Sequence, residues 1–270
     1  MLEKIENELK TKGFSQKTID SYLLYNKEFL KFTNKEPDKI EEQDIKNYLS
    51  YLTLSKKYKP RSINLALAAL KFSFYNVLNK KIMETIKLQK LDKKSPTILT
   101  KEEVKSLIDS VDNEKHKLLL RLMVSSGLRV GEAISLKIAD INFDERLLHV
   151  KSYKGKERLT ILSDKSINDL KEYLGKRKDQ NPYLFPIRET HISIKLPQKI
   201  IKLAAKKASL TKRVFCHALR STFAHSLLES GVNIKYIYNL LGNSSMIKSE
   251  IYSKIPIQEI KKIKSPFEDI

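Results

Sequence analysis

The chain contains few of the residues that form disulfide frameworks, flexible loops or membrane spans. Its single cysteine, Cys216, excludes an internal disulfide framework. Only 7 of its 270 residues are glycine, and long stretches rich in Lys, Glu, Leu and Ile predict a mainly helical protein. The longest apolar runs, such as the one from Leu118 to Val124, are short and interrupted by charge, so we expect no membrane span. The first ten residues mix charges of both signs, which predicts no signal peptide and a cytoplasmic protein.

Acidic residues are also scarce relative to basic ones. The 52 Lys and Arg residues outnumber the 32 Asp and Glu residues, which gives a formal net charge of +20. A protein with this imbalance repels itself unless it binds an anionic partner, and nucleic acid is the usual one. A generally lysine-rich proteome would raise the charge without any contact to DNA. Because the lysines are spread along the whole chain, we favour broad contact with a phosphate backbone over a single basic arm.

Residues 1–90 are predicted to form a small helical bundle. Apolar residues recur at helical spacing in four segments, and Ser15 is placed to cap the second of them. The four predicted helices run from Leu2 to Leu9, from Ser15 to Phe32, from about Glu41 to Leu52 and from Arg61 to Asn79.

A linker is predicted over residues 91–97, and a second domain over residues 98–270. The linker region is polar and basic, and Pro96 disfavours helix at Ser95. Thr100 and Glu103 then form a capping box that begins the next helix. Extended runs between residues 141 and 162, separated by short turns, predict a small antiparallel sheet of three strands before the helices resume.

Four local patterns in the second domain carry candidate functional residues. They contain Arg129 with Glu132, then the hairpin lysines Lys151, Lys154 and Lys156, then His217 with Arg220, and last Tyr252. Each pattern alone has an ordinary interpretation: an arginine paired with a nearby glutamate, a solvated lysine in a turn, a solvated helix face, or one of 12 tyrosines.

Together and in this order, the patterns resemble the tyrosine recombinase (phage integrase) family, specifically its short Xer-type members. The segments that carry the resemblance are GLRVGEAISL, KGKERLTIL, HALRSTFAHSLLESG, and LLGNSS followed by IYSK. The resemblance covers nearly the whole chain. It implies a DNA clamp of two domains, a helical core-binding domain followed by a mainly helical catalytic domain with a small antiparallel sheet.

The resemblance also implies how the site acts. Arg129, His217 and Arg220 would bind the scissile phosphate, and Glu132 would orient one of these groups. Tyr252 would attack the phosphorus, release a 5′-hydroxyl and leave a 3′-phosphotyrosine, while a hairpin lysine protonates the leaving oxygen. No metal and no cofactor are expected, because the arginines would balance the charge that metal ions balance in other phosphoryl-transfer enzymes.

Two positions depart from the family pattern. Counted without a gap, the place of the catalytic lysine falls on Tyr153; a shorter hairpin would supply Lys154, which we favour slightly, and a slipped turn would supply Lys151. The family usually has histidine or tryptophan where this chain has Asn243. An amide can donate a hydrogen bond to a phosphate oxygen but cannot exchange a proton near neutral pH, so we expect reduced activity. The alternative is that Asn243 only ends a helix after Gly242.

The resemblance leaves several functions open. Relatives act as a homo-tetramer on two double-stranded DNA duplexes, and we expect a monomer or dimer off DNA, with an accessory or partner recombinase as a further expectation. The apolar stripe Ile257, Ile260 and Ile263 would dock on a neighbouring subunit or pack on its own domain. The short length favours Xer-like chromosome-dimer resolution. The alternatives are an integrase of a mobile element, a topoisomerase-like nicking enzyme, and a DNA-binding relative with weakened catalysis.

Overall fold

The fold is mainly helical with small antiparallel sheets, as predicted. A computed structural model describes residues 1–91, 95–151, 157–242 and 256–270. The chain divides into two compact units, residues 1–94 and residues 95–270, and the division lies within the predicted linker. Among the described residues, no helix combines the length and the apolar character needed to span a bilayer.

The first unit contains the four predicted helices; three of them end within two residues of the prediction, and the fourth is shorter than predicted. They are α1 (Leu2–Thr11), α2 (Gln16–Thr33), α3 (Glu42–Leu54) and α4 (Pro60–Phe72). The Ser15 side chain accepts a hydrogen bond from the Thr18 backbone N–H, which confirms the predicted cap of α2. The last helix ends at Phe72 and continues as a π-helical turn, Ser73–Val77, so the prediction of helix to Asn79 was too long. The Ser73 hydroxyl donates to the Ala69 carbonyl, a bond that competes with regular helical pairing.

Aromatic rings and one buried amide hold this bundle together. Phe29 on α2 packs edge-on against Tyr48 of α3 and against Phe74, with centroid distances of 5.2 and 6.1 Å. Asn26 is fully buried and donates to the backbone carbonyls of Tyr22 and Ala69. Its bonds therefore link α2 to α4 within an otherwise apolar core.

The second unit is built around one helix that is buried on all sides. Every residue of α6 (Glu114–Ser125) from Leu118 onward is buried, and its one charged residue there, Arg121, pairs with Asp169. A helix that is buried all round lies at the centre of a domain. The other helices described in this unit are α5 (Lys101–Asp109), α7 (Val130–Ser135), α8 (Asp164–Gly175), α9 (Lys195–Lys207), α10 (Cys216–Glu229), α11 (Ile234–Leu241) and α12 (Ile257–Lys261). The predicted capping box of Thr100 and Glu103 is present at the start of α5.

The predicted three-stranded antiparallel sheet is also present. Its strands are β1 (Ile141–Asn142), β2 (Leu147–Lys151) and β3 (Glu157–Ile161), in the order β1-β2-β3. In the β2–β3 pair, Val150 lies opposite Arg158, and Lys151 lies opposite Glu157. A second sheet of two very short strands, β4 (Pro186–Ile187) and β5 (Thr190–His191), was not predicted. Two-residue strands are too short to show the alternation that identifies a strand in sequence.

The C-terminal segment, residues 256–270, packs on its own unit. Ile260 and Phe267 are 4% and 1% exposed and belong to the core of that unit. The Ser265 hydroxyl donates to the Ser125 carbonyl over 2.8 Å, and the Glu268 carboxylate accepts from the backbone N–H of Asp164 over 2.7 Å. Of the apolar stripe, Ile260 and Ile263 therefore pack on their own unit, whereas Ile257 is 47% exposed.

Candidate active site

The predicted site begins where the central helix ends. After α6, Gly127 takes a left-handed backbone conformation with φ +61°, and the chain turns so that Arg129 becomes the N-cap residue of α7. The Arg129 backbone N–H donates to Glu132 over 2.7 Å, and its guanidinium donates to the same carboxylate over 2.9 Å. The Arg129 side chain is 43% exposed, so the guanidinium lies at the surface of the unit with one edge held by Glu132.

Glu132 is the buried centre around which three arginines gather. Its side chain is 5% exposed, and both of its oxygens accept from Arg158, each over 2.9 Å. Arg220 lies slightly farther away, with its Nη1 atom 3.7 Å from the carboxylate. Burial alone would raise the pKa of Glu132, but the charge of Arg158 and the hydrogen bonds from Arg129 and Arg158 outweigh it, and the pKa lies below its usual value. Glu132 is therefore ionised at neutral pH.

Arg220 is buried within α10 and is held by backbone carbonyls. Its side chain is 3% exposed, and its two terminal nitrogens donate to the carbonyls of Gly127, over 2.7 Å, and Leu241. Burial, followed by the charges of Arg129 and Arg158, lowers the pKa of Arg220 to about 9. The guanidinium still carries its charge at neutral pH.

The same three arginines hold the C-terminal end of α11. Arg158 donates from Nε to the Leu240 carbonyl over 2.6 Å, while Arg129 and Arg220 both donate to the Leu241 carbonyl. The last carbonyls of a helix have no partner within the helix and carry partial negative charge, so guanidinium groups suit them. The helix ends at Gly242, which has φ +62°. This contact fixes the point from which the chain enters the segment containing Asn243 and Tyr252.

His217 lies one turn before Arg220 on α10 and is exposed. Although the residue is exposed, part of its ring is shielded from water; this desolvation, followed by the charges of Arg220 and Arg129, lowers the pKa of His217 below its usual value. The imidazole is therefore neutral at pH 7, so one ring nitrogen can accept a proton and the other can donate a hydrogen bond.

The remaining predicted residues are placed differently. Lys151 lies at the end of β2, with a 64% exposed side chain and its Nζ 3.9 Å from Glu157. Lys154, Asn243 and Tyr252 lie outside the described residues. The structure thus brings Arg129, Glu132, His217 and Arg220 together and leaves the positions of those three side chains as predictions.

Arg158 was not among the predicted site residues, although it lies within the KGKERLTIL segment that carried the resemblance. Its side chain is only 7% exposed, and its partners Glu132 and Leu240 are distant in sequence. The sequence shows only that Arg158 lies in a predicted short strand. Nothing in the neighbouring residues identifies the carboxylate that its guanidinium binds.

The arrangement suits an anion whose charge increases during reaction. Three guanidinium groups surround one carboxylate, which leaves two positive charges in excess before a substrate binds. A phosphodiester gains negative charge on its non-bridging oxygens as phosphorus becomes pentacoordinate, and fixed donors stabilise that state. Among the described residues, no three His, Cys, Asp or Glu side chains gather as ligands for a metal ion.

Comparison with known proteins identifies the family of both units. Residues 97–257 match the phage integrase family, and residues 1–84 match the phage integrase N-terminal SAM-like domain. The chain is 34% identical to tyrosine recombinase XerA of Pyrococcus horikoshii, over 97% of this chain and 91% of the relative. It is 33% identical to the putative integrase/recombinase y4qK of Sinorhizobium fredii, over 98% of this chain and 88% of that protein.

Solved structures agree with this result. The crystal structure of XerA recombinase matches with 32% identity and a TM-score of 0.53, covering 94% of this chain and 93% of that one. A lambda integrase dimer bound to a COC′ core site shares the fold, with 21% identity and a TM-score of 0.72, covering 94% of this chain and 98% of that one. The chain therefore belongs to the phage integrase (tyrosine recombinase) family.

Proposed function

We propose that this chain is a site-specific DNA recombinase that cuts and rejoins DNA strands through a 3′-phosphotyrosine on Tyr252. The observation that carries the proposal is the convergence of Arg129 and Arg220 on the end of α11, the helix whose following segment contains Tyr252. Family membership over both units supports the same activity.

In the proposed reaction, the Tyr252 phenolic oxygen bonds to phosphorus while the bond from phosphorus to the 5′-oxygen breaks. Arg129 and Arg220 hold the non-bridging oxygens, whose charge rises in the transition state. His217 is neutral and can take up the phenol proton. Lys154, or Lys151 if the hairpin turn is slipped, protonates the departing 5′-oxygen. Attack by the 5′-hydroxyl of another strand reverses these steps, so the ester conserves the bond energy and no metal, nucleotide or cofactor is consumed.

Asn243 is assigned the phosphate-binding place after α11. Its amide can donate a hydrogen bond to a non-bridging oxygen, which keeps part of the role of a histidine or tryptophan. Because the amide does not ionise near neutral pH, we expect cleavage to proceed at a reduced rate.

The proposed biological role is Xer-like resolution of chromosome dimers in the cytoplasm. The support is the identity with tyrosine recombinase XerA of Pyrococcus horikoshii over nearly the whole of both chains. We propose a homo-tetramer on two duplexes as the active assembly, a monomer or dimer off DNA, and an accessory or partner recombinase. Integration of a mobile element is the second candidate, favoured by the similarity to the putative integrase/recombinase y4qK.

Covalent trapping tests the proposed chemistry. The Tyr252→Phe variant is first used to select the duplexes that it binds from genomic fragments. These duplexes are then nicked near the bound site and incubated with each variant, without metal or nucleotide. The parental chain and the matched control Tyr236→Phe should form an adduct that survives denaturation, whereas Tyr252→Phe should form none. An Asn243→His variant should form the adduct faster than the parental chain, and an equal rate would contradict the role given to Asn243.

The same substrates separate the alternatives. No adduct on a duplex that the parental chain binds would overturn the enzymatic proposal and leave a DNA-binding relative. An adduct without strand exchange between two duplexes would indicate a topoisomerase-like enzyme instead of a recombinase.

A further inference from the structure

The charge on Arg158 is buried, and the proposed reaction does not use it. Its side chain is 7% exposed, less than that of Arg129, and it lies on β3 opposite Val150. Burying a guanidinium is costly unless it is paired, so a buried arginine beside a reactive site needs a physical explanation.

We propose that Arg158 is a positioning residue that holds the Glu132 carboxylate and thereby keeps Arg129 and Arg220 available to the scissile phosphate. The inference rests on the proposed function, because Arg158 can play this role only if Arg129 and Arg220 hold the scissile phosphate.

The contacts of Arg158 fix it in one orientation. Two parallel hydrogen bonds of 2.9 Å join its terminal nitrogens to the two oxygens of Glu132, and Nε donates to the Leu240 carbonyl over 2.6 Å. A guanidinium that binds a carboxylate through two donors at once is well oriented, and a lysine cannot reproduce that geometry. The alkyl part of the side chain is also confined, since a Cβ atom added at Gly242 would lie 2.8 Å from its Cδ.

Without Arg158, the carboxylate would compete with DNA for the other two arginines. Glu132 is buried and ionised, so it would need new donors. Arg220 already has its Nη1 atom 3.7 Å from Glu132, and a small shift would bring it into hydrogen-bond distance. Arg129 already donates to the other carboxylate oxygen. Both guanidinium groups would then be drawn towards Glu132 and away from the phosphate.

The charge of the cluster leads to the same conclusion. Three arginines and one glutamate leave two excess positive charges; without Arg158, the charge of Glu132 offsets that of Arg129 or Arg220 and one remains, whereas without both Arg158 and the Glu132 charge, Arg129 and Arg220 keep two. The transition state for attack on a phosphodiester carries more negative charge than the bound substrate, so it depends more strongly on this excess. If Arg158 only joined β3 to α11, its loss would affect folding and DNA binding to the same extent whether or not residue 132 carried a charge.

A double-mutant cycle distinguishes these roles. The rate of adduct formation is measured on saturating nicked duplex for Arg158→Met, Glu132→Gln and the double variant, with melting temperature and DNA affinity as controls. We expect Arg158→Met to slow the step by about 10- to 100-fold, less than the roughly 10²- to 10³-fold seen when a donor to the reacting oxygens is itself lost, because Arg158 acts through Glu132. In the Glu132→Gln background, the same substitution should change the rate less than about 3-fold, because an uncharged amide no longer attracts the two arginines strongly.

A substrate whose scissile phosphate is replaced by a neutral phosphonate gives an independent test of the charge dependence. Replacing one non-bridging oxygen of the scissile phosphate by methyl removes its negative charge, so the defect of Arg158→Met should shrink by about 10-fold on that substrate. Arg158→Lys keeps the charge but loses the paired geometry, and its rate should lie between those of Arg158→Met and the parental chain. If Arg158→Met does not fold, Arg158→Lys carries the test, with a defect that again shrinks on the phosphonate.

The outcomes separate this inference from the proposed function. Equal slowing by Arg158→Met in both Glu132 backgrounds, and on both substrates, would overturn the positioning role and indicate a structural one. Failure of the parental chain to form any adduct would overturn the proposed function, and this inference with it.

Discussion

Two glycines of one short segment, Gly127 and Gly131, differ in what their backbone requires. Gly127 has φ +61°, and a Cβ atom there would collide with the Phe223 ring, lying 2.8 Å from Cε1. Gly131 lies within α7, and a Cβ atom there meets nothing within 4 Å. We expect Gly127→Ala to lower the free energy of unfolding by about 2 to 4 kcal/mol, from left-handed backbone strain and overpacking together.

Gly131→Ala is the matched control. Alanine favours helix over glycine by about 0.5 to 1 kcal/mol, so this variant should be neutral or slightly stabilised. Urea unfolding of both variants measures the difference. Equal stability of the two would mean that the turn before Arg129 does not need its left-handed residue.

Single residues also show how far the sequence predicts the site. Two pairs of site residues are close in sequence, Arg129 with Glu132 and His217 with Arg220. Within each pair, the spacing of three residues places the two side chains near each other. Arg158 meets Glu132 across 26 positions, and that contact depends on how β3 packs against α7 and α11. Local periodicity carries no information about such a contact, which explains why the buried third arginine was missed.

At the scale of helices and strands, the predictions succeeded wherever a local signal marks an end. The caps at Ser15 and Thr100 each accept a hydrogen bond from a backbone N–H of the helix that follows, as their positions predicted. The end of α4 was placed wrongly because the apolar stripe continues through its π-helical turn, where Phe74 is still buried. Hydrophobic spacing therefore locates a helix but does not show where its hydrogen bonding changes.

The C-terminal segment gives a test at this scale, because one of its anchors in the core is a large aromatic side chain. Phe267 is 1% exposed within the core of the second unit, whereas Ile257 of α12 is 47% exposed. Removing a buried phenyl ring costs about 3 to 5 kcal/mol, so Phe267→Ala should destabilise the DNA-free protein by that amount, as followed by calorimetry. Ile257→Ala, which removes an exposed side chain of the same segment, should change stability by less than about 0.5 kcal/mol.

The opposite result would change the description of this segment. If Phe267→Ala unfolds at the same temperature as the parental chain, residues 256–270 are not packed on their own unit in solution. Docking on a neighbouring subunit, the other interpretation of the apolar stripe, would then be favoured.

The whole molecule is dominated by its charge, which is not concentrated at the site. The cluster around Glu132 accounts for two excess positive charges, while the chain as a whole carries +20. Most of the excess therefore lies outside the cluster around Glu132, where it can bind DNA backbone but is too far from the proposed site to contribute to bond breaking. Affinity for DNA and the rate of cleavage should accordingly respond to different changes.

The salt dependence of DNA affinity measures how much of the positive charge outside the cluster contacts phosphates. Each phosphate contact releases condensed counterions, so a protein making about 6 to 10 such contacts loses about 10³- to 10⁵-fold in affinity between 50 and 200 mM salt. We expect this chain to fall in that range on a non-specific duplex, measured with Tyr252→Phe so that cleavage does not disturb the equilibrium. Arg158→Met should give the same slope, because its buried guanidinium contacts Glu132 and not a phosphate. A loss of less than about 10-fold would mean that the net charge reflects general lysine content and that only a few lysines and arginines contact DNA.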